Sequence, residues 1–80
     1  MVPKMDEQLS EQVTAIAVSY LGPAARIFLE RQTKTHMNGL LFANLERQYL
    51  PELKKWVLIS ASLLIDRTKA EEFSDRIGKL

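Results

Sequence analysis

Cysteine is absent from this chain of 80 residues, and histidine occurs only once, at position 36. Disulfides, thiolate nucleophiles and thiolate metal ligands are therefore excluded, and so is a zinc site built from several histidines of this chain. The three glycines, Gly22, Gly39 and Gly78, lie too far apart for a glycine-rich phosphate-binding loop. We therefore expect neither a metal nor another cofactor.

A surplus of charge of one sign is also missing. Eleven basic and ten acidic residues leave a formal net charge of +1. Proteins that bind nucleic acids or anionic membranes usually carry a clear basic surplus. The net charge therefore gives no reason to expect either kind of partner.

Long apolar stretches are missing as well. The longest one, Trp56–Ile65, is interrupted by two serines. A membrane-spanning helix needs about 20 consecutive apolar residues, so this stretch is too short to cross a membrane. The first residues turn acidic at Asp6 and Glu7, where a secretory signal would continue into an apolar segment. We expect no membrane contact and a cytoplasmic location.

The composition is that of a folded globular protein, with 46% hydrophobic and 26% charged residues. A chain this short has room for a single core, so we predict a flexible leader at 1–5 and one helical domain over 6–80. Apolar residues recur at helical spacing, and no stretch alternates long enough to predict a strand. The predicted fold class is all-α, a compact bundle of about five short helices.

Apolar spacing and turn signals place these helices. They are predicted at about 7–20, 23–33, 40–49, 51–65 and 68–80, with a loop over 33–39. Asp6 is the predicted N-cap of the first helix, and Gly22-Pro23 separates the first helix from the second. The residues predicted to face inward from the second helix are Ala24, Ile27, Phe28 and Gln32.

Two further signals concern the later helices. Pro51 predicts a break at Leu50, before the fourth helix. The run Thr68–Glu71 matches a capping box, which would begin the fifth helix. The apolar stripe predicted for that helix is Ala70, Phe73, Ile77 and Leu80.

The predicted fourth helix is apolar nearly all round. One side would carry Leu53, Trp56, Val57, Ala61 and Leu64, and the other side Leu58, Ile59, Leu63 and Ile65. Such a helix has to be covered on every side. Either it is the central helix of the bundle, or one flank packs against another chain, most simply a second copy. The predicted partner-binding residues are Trp56, Leu58, Ile59, Leu63 and Ile65, although Trp56 is also a candidate for the core.

Basic residues are concentrated in the middle of the chain, where six basic and three acidic side chains lie between Pro23 and Lys55. A possible basic contact face consists of Arg26, Arg31, Lys34, Lys54 and Lys55. With the tight turn at Gly22-Pro23, this pattern suggests a helix-turn-helix-like DNA-binding regulator as an alternative function. Glu30, within the candidate reading helix, would face phosphates unfavourably.

Candidate catalytic residues are few. His36 falls in a predicted loop with threonines and Asn38 nearby, but without a positioned acid or nucleophile. Glu71, Glu72 and Asp75 are expected on the solvated face of the last helix. We therefore predict no catalytic residue and no enzymatic activity.

The stretch Tyr20–Leu29 contains Leu-Gly-Pro-Ala-Ala. It resembles a Leu-Gly-Pro-Ile-Ala segment of a small helical domain at the carboxy-terminal end of prokaryotic signalling proteins such as serine/threonine kinases, adenylate cyclases and response regulators. The resemblance covers about residues 18–45, and Ala24 stands where that family usually has a larger aliphatic residue. It implies a regulatory or assembly accessory. The sequence therefore predicts a non-enzymatic helical interaction or dimerisation module in a prokaryotic signalling setting.

Overall fold

Four α-helices make up most of residues 8–80, the part of the chain that the computed structural model describes. They are α1 (Leu9–Leu21), α2 (Ala25–His36), α3 (Leu50–Ala61) and α4 (Arg67–Gly78), and no strand is found among these residues. The all-α prediction is confirmed. The prediction of about five helices is wrong: α1 and α2 adjoin in one helical run, and residues 40–49 form no α-helix. The predicted leader and the predicted cap Asp6 lie outside the described residues.

The junction between α1 and α2 is a 3₁₀ turn, Gly22–Ala24. Gly22 has φ +62°, a conformation that side chains with a Cβ rarely adopt, and Pro23 follows in the first turn of the next helical segment. This confirms the predicted boundary. The inward face of α2 nevertheless differs from the prediction, because the α-helix starts only at Ala25. Phe28 and Gln32 are buried as predicted, whereas Ala24 and Ile27 are exposed.

The end of α2 lies three residues later than predicted, at His36. Thr33, predicted to open a loop, is helical and fully buried. The chain turns instead at Asn38 and Gly39, which have φ values of +59° and +73°. A right-handed helix cannot continue through two consecutive residues in the left-handed conformation, so α2 ends before them.

Residues 40–49, predicted as the third helix, form two 3₁₀ turns, Phe42–Asn44 and Arg47–Tyr49. Leu45 and Glu46 between them have extended backbone, with ψ values of 136° and 162°. The break predicted at Leu50 therefore lies earlier, and Leu50 itself is the first residue of α3. This path buries Phe42 and Leu45 in the core, which replaces the packing that a helix would have provided.

The core lies between all four helices and the 40–49 segment. Phe73 of α4 is fully buried at its centre. Its ring stacks on Tyr20 of α1 at 5.0 Å and lies 6.2 Å from the ring of Phe28 of α2. Burial of each large apolar side chain contributes roughly 1.5–3 kcal/mol to stability. Three helices thus share one aromatic contact, which sets their relative positions.

The start of α4 is capped by Asp66, whose Oδ1 accepts a hydrogen bond of 2.9 Å from the backbone N–H of Lys69. The predicted capping box at Thr68–Glu71 is wrong, because Thr68 already lies inside the first turn. Glu71 instead accepts a hydrogen bond from Nε of Arg67 at 3.1 Å. The predicted stripe is confirmed for Ala70, Phe73 and Ile77, which are fully buried, while Leu80 is half-buried.

The helical run Leu9–His36 is long and apolar enough to cross a membrane, judged by length and composition. Gly22 divides it, however, into α-helices of 13 and 12 residues. Val13, Ala17 and Leu29 of this run are fully buried in the core shared with α3 and α4.

The two competing caps of α4 can be separated by substitution. We expect Asp66→Ala to lower the free energy of unfolding by about 1 kcal/mol, because one backbone donor of the first turn loses its acceptor. Thr68→Ala, an exposed change two residues away, should alter it by less than about 0.5 kcal/mol. Urea denaturation followed by circular dichroism measures both. The opposite order would place the cap at Thr68.

Candidate protein-binding surface

Large apolar side chains are exposed where α3 ends. Ile59 is 50% exposed, Leu63 84% and Leu64 64%. The helix stops at Ala61, where the hydroxyl of Ser62 donates a hydrogen bond of 2.7 Å to the carbonyl of Leu58. The chain then turns outward through Leu63 and Leu64. We call Ile59, Leu63 and Leu64 the α3 patch.

The predicted partner-binding residues separate into two groups. Ile59 and Leu63 are exposed, but Leu58 and Ile65 are half-buried and pack against the core. Their partner-binding role stays a prediction. The predicted extent of the helix is wrong, because it ends at Ala61 rather than Ile65. For the same reason Leu64, predicted to face inward, faces solvent.

Trp56 is half-buried at the edge of the α3 patch. Its ring stacks on the ring of His36 at 4.1 Å with an angle of 9° between planes, and the Lys55 ammonium lies 4.9 Å from the ring centroid. Its Nε1 is buried and has no hydrogen-bond partner among the described residues. One side of Trp56 thus contacts α2, and its ring lies partly in the core and partly at the surface.

Two contacts set the register between α2 and α3. His36 meets Trp56, and one turn further along each helix the Ser60 hydroxyl donates a hydrogen bond of 2.9 Å to Oε1 of Gln32. The residue numbers rise on one helix as they fall on the other, so the two helices run antiparallel. Nε2 of the buried Gln32 also donates to the Phe28 carbonyl at 3.3 Å, which holds its side chain in place.

One helical turn further along, α2 lies beside the α3 patch. A cleft of about 270 Å³ lies there, lined by Phe28, Arg31, Gln32, Thr35, His36, Ser60, Leu63 and Leu64. Arg31 is exposed and belongs to the same cleft as Leu63 and Leu64. The patch therefore has a cation at its side, and residues 8–80 contribute no carboxylate to the lining of this cleft.

A second groove, of about 490 Å³, is formed by α2 and the segment that follows it. Its lining residues are Glu30, Lys34, Gly39, Leu40, Leu41, Phe42 and Ala43. Leu41 is 68% exposed there. The two depressions share no lining residue within the described part of the chain, so the exposed leucines of one are independent of those of the other.

The five residues of the predicted basic face have different neighbours. Arg26 pairs with Glu30 at 3.7 Å, and Lys54 pairs with Asp75 of α4 at 3.8 Å. Arg31 lines the cleft beside the α3 patch, Lys34 lines the second groove, and Lys55 lies over Trp56. The structure thus distributes these charges over several elements.

The polar residues weighed for catalysis are engaged with neighbours. His36, predicted to lie in a loop, is the last residue of α2 and stacks on Trp56. Glu72 accepts a hydrogen bond of 3.0 Å from the Tyr20 hydroxyl. Among residues 8–80, no group of three or more histidine, aspartate or glutamate side chains is placed to hold a metal ion.

No protein-family model, curated protein or solved structure matches this chain. The resemblance of Tyr20–Leu29 to a signalling accessory domain therefore stays a prediction. The evidence for function comes from the surface itself, above all from the α3 patch and its neighbouring cation.

The stack of His36 on Trp56 has a spectroscopic consequence. We expect His36→Ala to shift the emission of Trp56, the one tryptophan of the chain, to longer wavelength, because water replaces the imidazole. Thr35→Ala changes the preceding residue in the same cleft and should leave the emission unchanged. Fluorescence and acrylamide quenching measure this. An unchanged spectrum for His36→Ala would mean that the two rings are not stacked in solution.

Proposed function

We propose that this chain is a non-enzymatic helical interaction module that forms a homodimer through the α3 patch. The observation that carries the proposal is the exposure of Leu63 and Leu64 beside Ile59 at one end of the bundle. Burial of a large aliphatic side chain contributes roughly 1.5–3 kcal/mol, so covering this patch would be favourable. Ile27, one turn before Arg31 on α2, adds a further exposed side chain.

A second copy is the simplest partner for such a patch. A two-fold interface uses the same surface on both subunits, so apolar side chains meet apolar side chains. The net charge of +1 opposes the approach of two copies only weakly. Small domains often complete a limited core by oligomerising. Trp56, at the edge of the patch, belongs to the residue type most enriched in binding hot spots.

A regulatory or signalling role in a prokaryotic cytoplasm is part of the proposal. It is supported by the resemblance of Tyr20–Leu29 to an accessory domain of signalling proteins. In such a setting dimerisation would bring together the domains or partner proteins attached to each copy.

The dimer can be tested with two leucines that carry the same substitution. We expect the unchanged protein to sediment as a dimer at micromolar concentration, and Leu63→Asp to sediment as a monomer, because a charge would be buried at the contact. Leu41→Asp, equally a change at an exposed leucine but in the second groove, should remain a dimer. Circular dichroism checks that both variants are folded. A monomeric unchanged protein, or dissociation by Leu41→Asp alone, would contradict the proposal.

The alternative is a helix-turn-helix-like DNA-binding regulator that uses α2. It is supported by the three-residue turn between α1 and α2 and by the exposed Arg31 and Lys34. Against it, Glu30 lies on the exposed side of α2 and pairs with Arg26, which removes one cation from phosphate contact.

The affinity for DNA would fall steeply as salt is added, because phosphate contacts release counterions. On the leading proposal, we expect no binding of a mixed-sequence duplex at low salt in fluorescence anisotropy. Binding that weakens with added salt, and that Arg31→Ala and Lys34→Ala reduce, would favour the alternative. Lys79→Ala is the control because it removes the same charge from an exposed position outside α2.

A further inference from the structure

We infer that the two copies pair their α3 helices antiparallel, with Glu52 of each copy facing Arg31 of the other. This rests on the proposed homodimer and adds its geometry. It follows from one ridge of α3, formed by Glu52, Trp56, Ile59 and Leu63. Glu52 is at one end of the ridge, and Arg31 of α2 shares a cleft with Leu63 at the other end.

The ridge is continuous along α3. Its members are separated by four, three and four residues, the spacing that places side chains along one side of a helix and forms the seam of paired helices. Leu63 lies just beyond the helix end, where its backbone N–H still donates to the Ser60 carbonyl at 3.1 Å. From Glu52 to Leu63 the ridge is about 16 Å long at 1.5 Å per residue. Two such ridges are long enough to pack along each other.

The charge at each end is not satisfied within residues 8–80. The side chain of Glu52 is exposed in the first turn of α3 and has no ion-pair or hydrogen-bond partner among these residues. Arg31, which shares the cleft with Leu63, likewise has none there. By contrast, four other basic side chains lie within 4.0 Å of a carboxylate, namely Arg26, Lys54, Arg67 and Lys69. An acid and a base without partners in the described structure therefore mark the two ends of the apolar ridge.

The direction of pairing decides which charges meet. If the two α3 helices ran parallel about a two-fold axis, Glu52 would face Glu52 and Arg31 would face Arg31. If they run antiparallel, each Glu52 faces an Arg31, and two equivalent ion pairs form at the two ends of the contact. Exposed ion pairs of this kind contribute little affinity, but like charges that face each other disfavour the parallel arrangement.

The antiparallel arrangement also fits the apolar residues. Its two-fold axis would pass midway between positions 52 and 63, so Ile59 of one copy would lie opposite Trp56 of its partner. Leu63 of one copy would then lie at the end of the contact, beside Glu52 of its partner. The half-buried tryptophan and the exposed isoleucine would cover each other.

Charge reversal tests the direction of pairing by sedimentation equilibrium at low salt. In Glu52→Arg and in Arg31→Glu, two ion pairs become two like-charge contacts, and we expect the dimer dissociation constant to rise about tenfold in each. With both substitutions in one chain, the pairs re-form in reversed polarity, and the constant should return close to that of the unchanged protein. Glu11→Arg is the matched control, an exposed glutamate in the first turn of α1 with no ion pair to the described residues.

The outcomes separate this inference from the proposed function. If the unchanged protein dimerises and the combined variant recovers what each single variant loses, the antiparallel pairing is supported. If the protein dimerises but the single reversals act like Glu11→Arg, the inference is overturned and the homodimer stands. A combined variant that dimerises more weakly than both single variants overturns the inference in the same way. A protein that remains monomeric at every concentration overturns both.

Discussion

The end of α3 at Ala61 is the constraint on which the surface of this protein depends. Ser62 is the C-cap residue, its hydroxyl donates to the Leu58 carbonyl, and the chain turns before the apolar stretch is finished. Leu58 and Ile65 find cover against the core, whereas Leu63 and Leu64 do not. A helix continued through Ile65 would have distributed these side chains differently. The apolar patch is thus a consequence of where one helix stops.

The antiparallel register of α2 and α3 gives that patch its electrostatic character. The His36–Trp56 stack and the Ser60–Gln32 hydrogen bond fix the register at two successive turns. Arg31, which precedes Gln32 on α2, then lines the same cleft as Leu63. A change of one residue in this register would move the cation away and expose the polar Gln32. Core packing and the position of the charge beside the patch therefore depend on the same two contacts.

Much of the fold could be predicted from local patterns. Gly22-Pro23 predicts a helix boundary well because both residues constrain the backbone directly. The spacing of Ala70, Phe73 and Ile77 places them on one side of a helix and so predicts a single buried face. The 40–49 segment could not be predicted in this way. Its leucines and Phe42 have helical spacing, but the core accepts Phe42 and Leu45 from 3₁₀ turns joined by extended backbone. At α4, Asp66 and Thr68 both carry cap-forming side chains, and only the packing of the helix selects Asp66.

The sequence by itself determined the all-α class, the absence of thiol chemistry, and the excess of apolar residues between Trp56 and Ile65, because these depend on composition and short-range spacing. The tertiary structure decided which of those apolar side chains reach solvent and which charges lie beside them. Exposure depends on where α3 ends and on its register with α2. Both result from side chains that are distant in sequence and meet only in the folded chain.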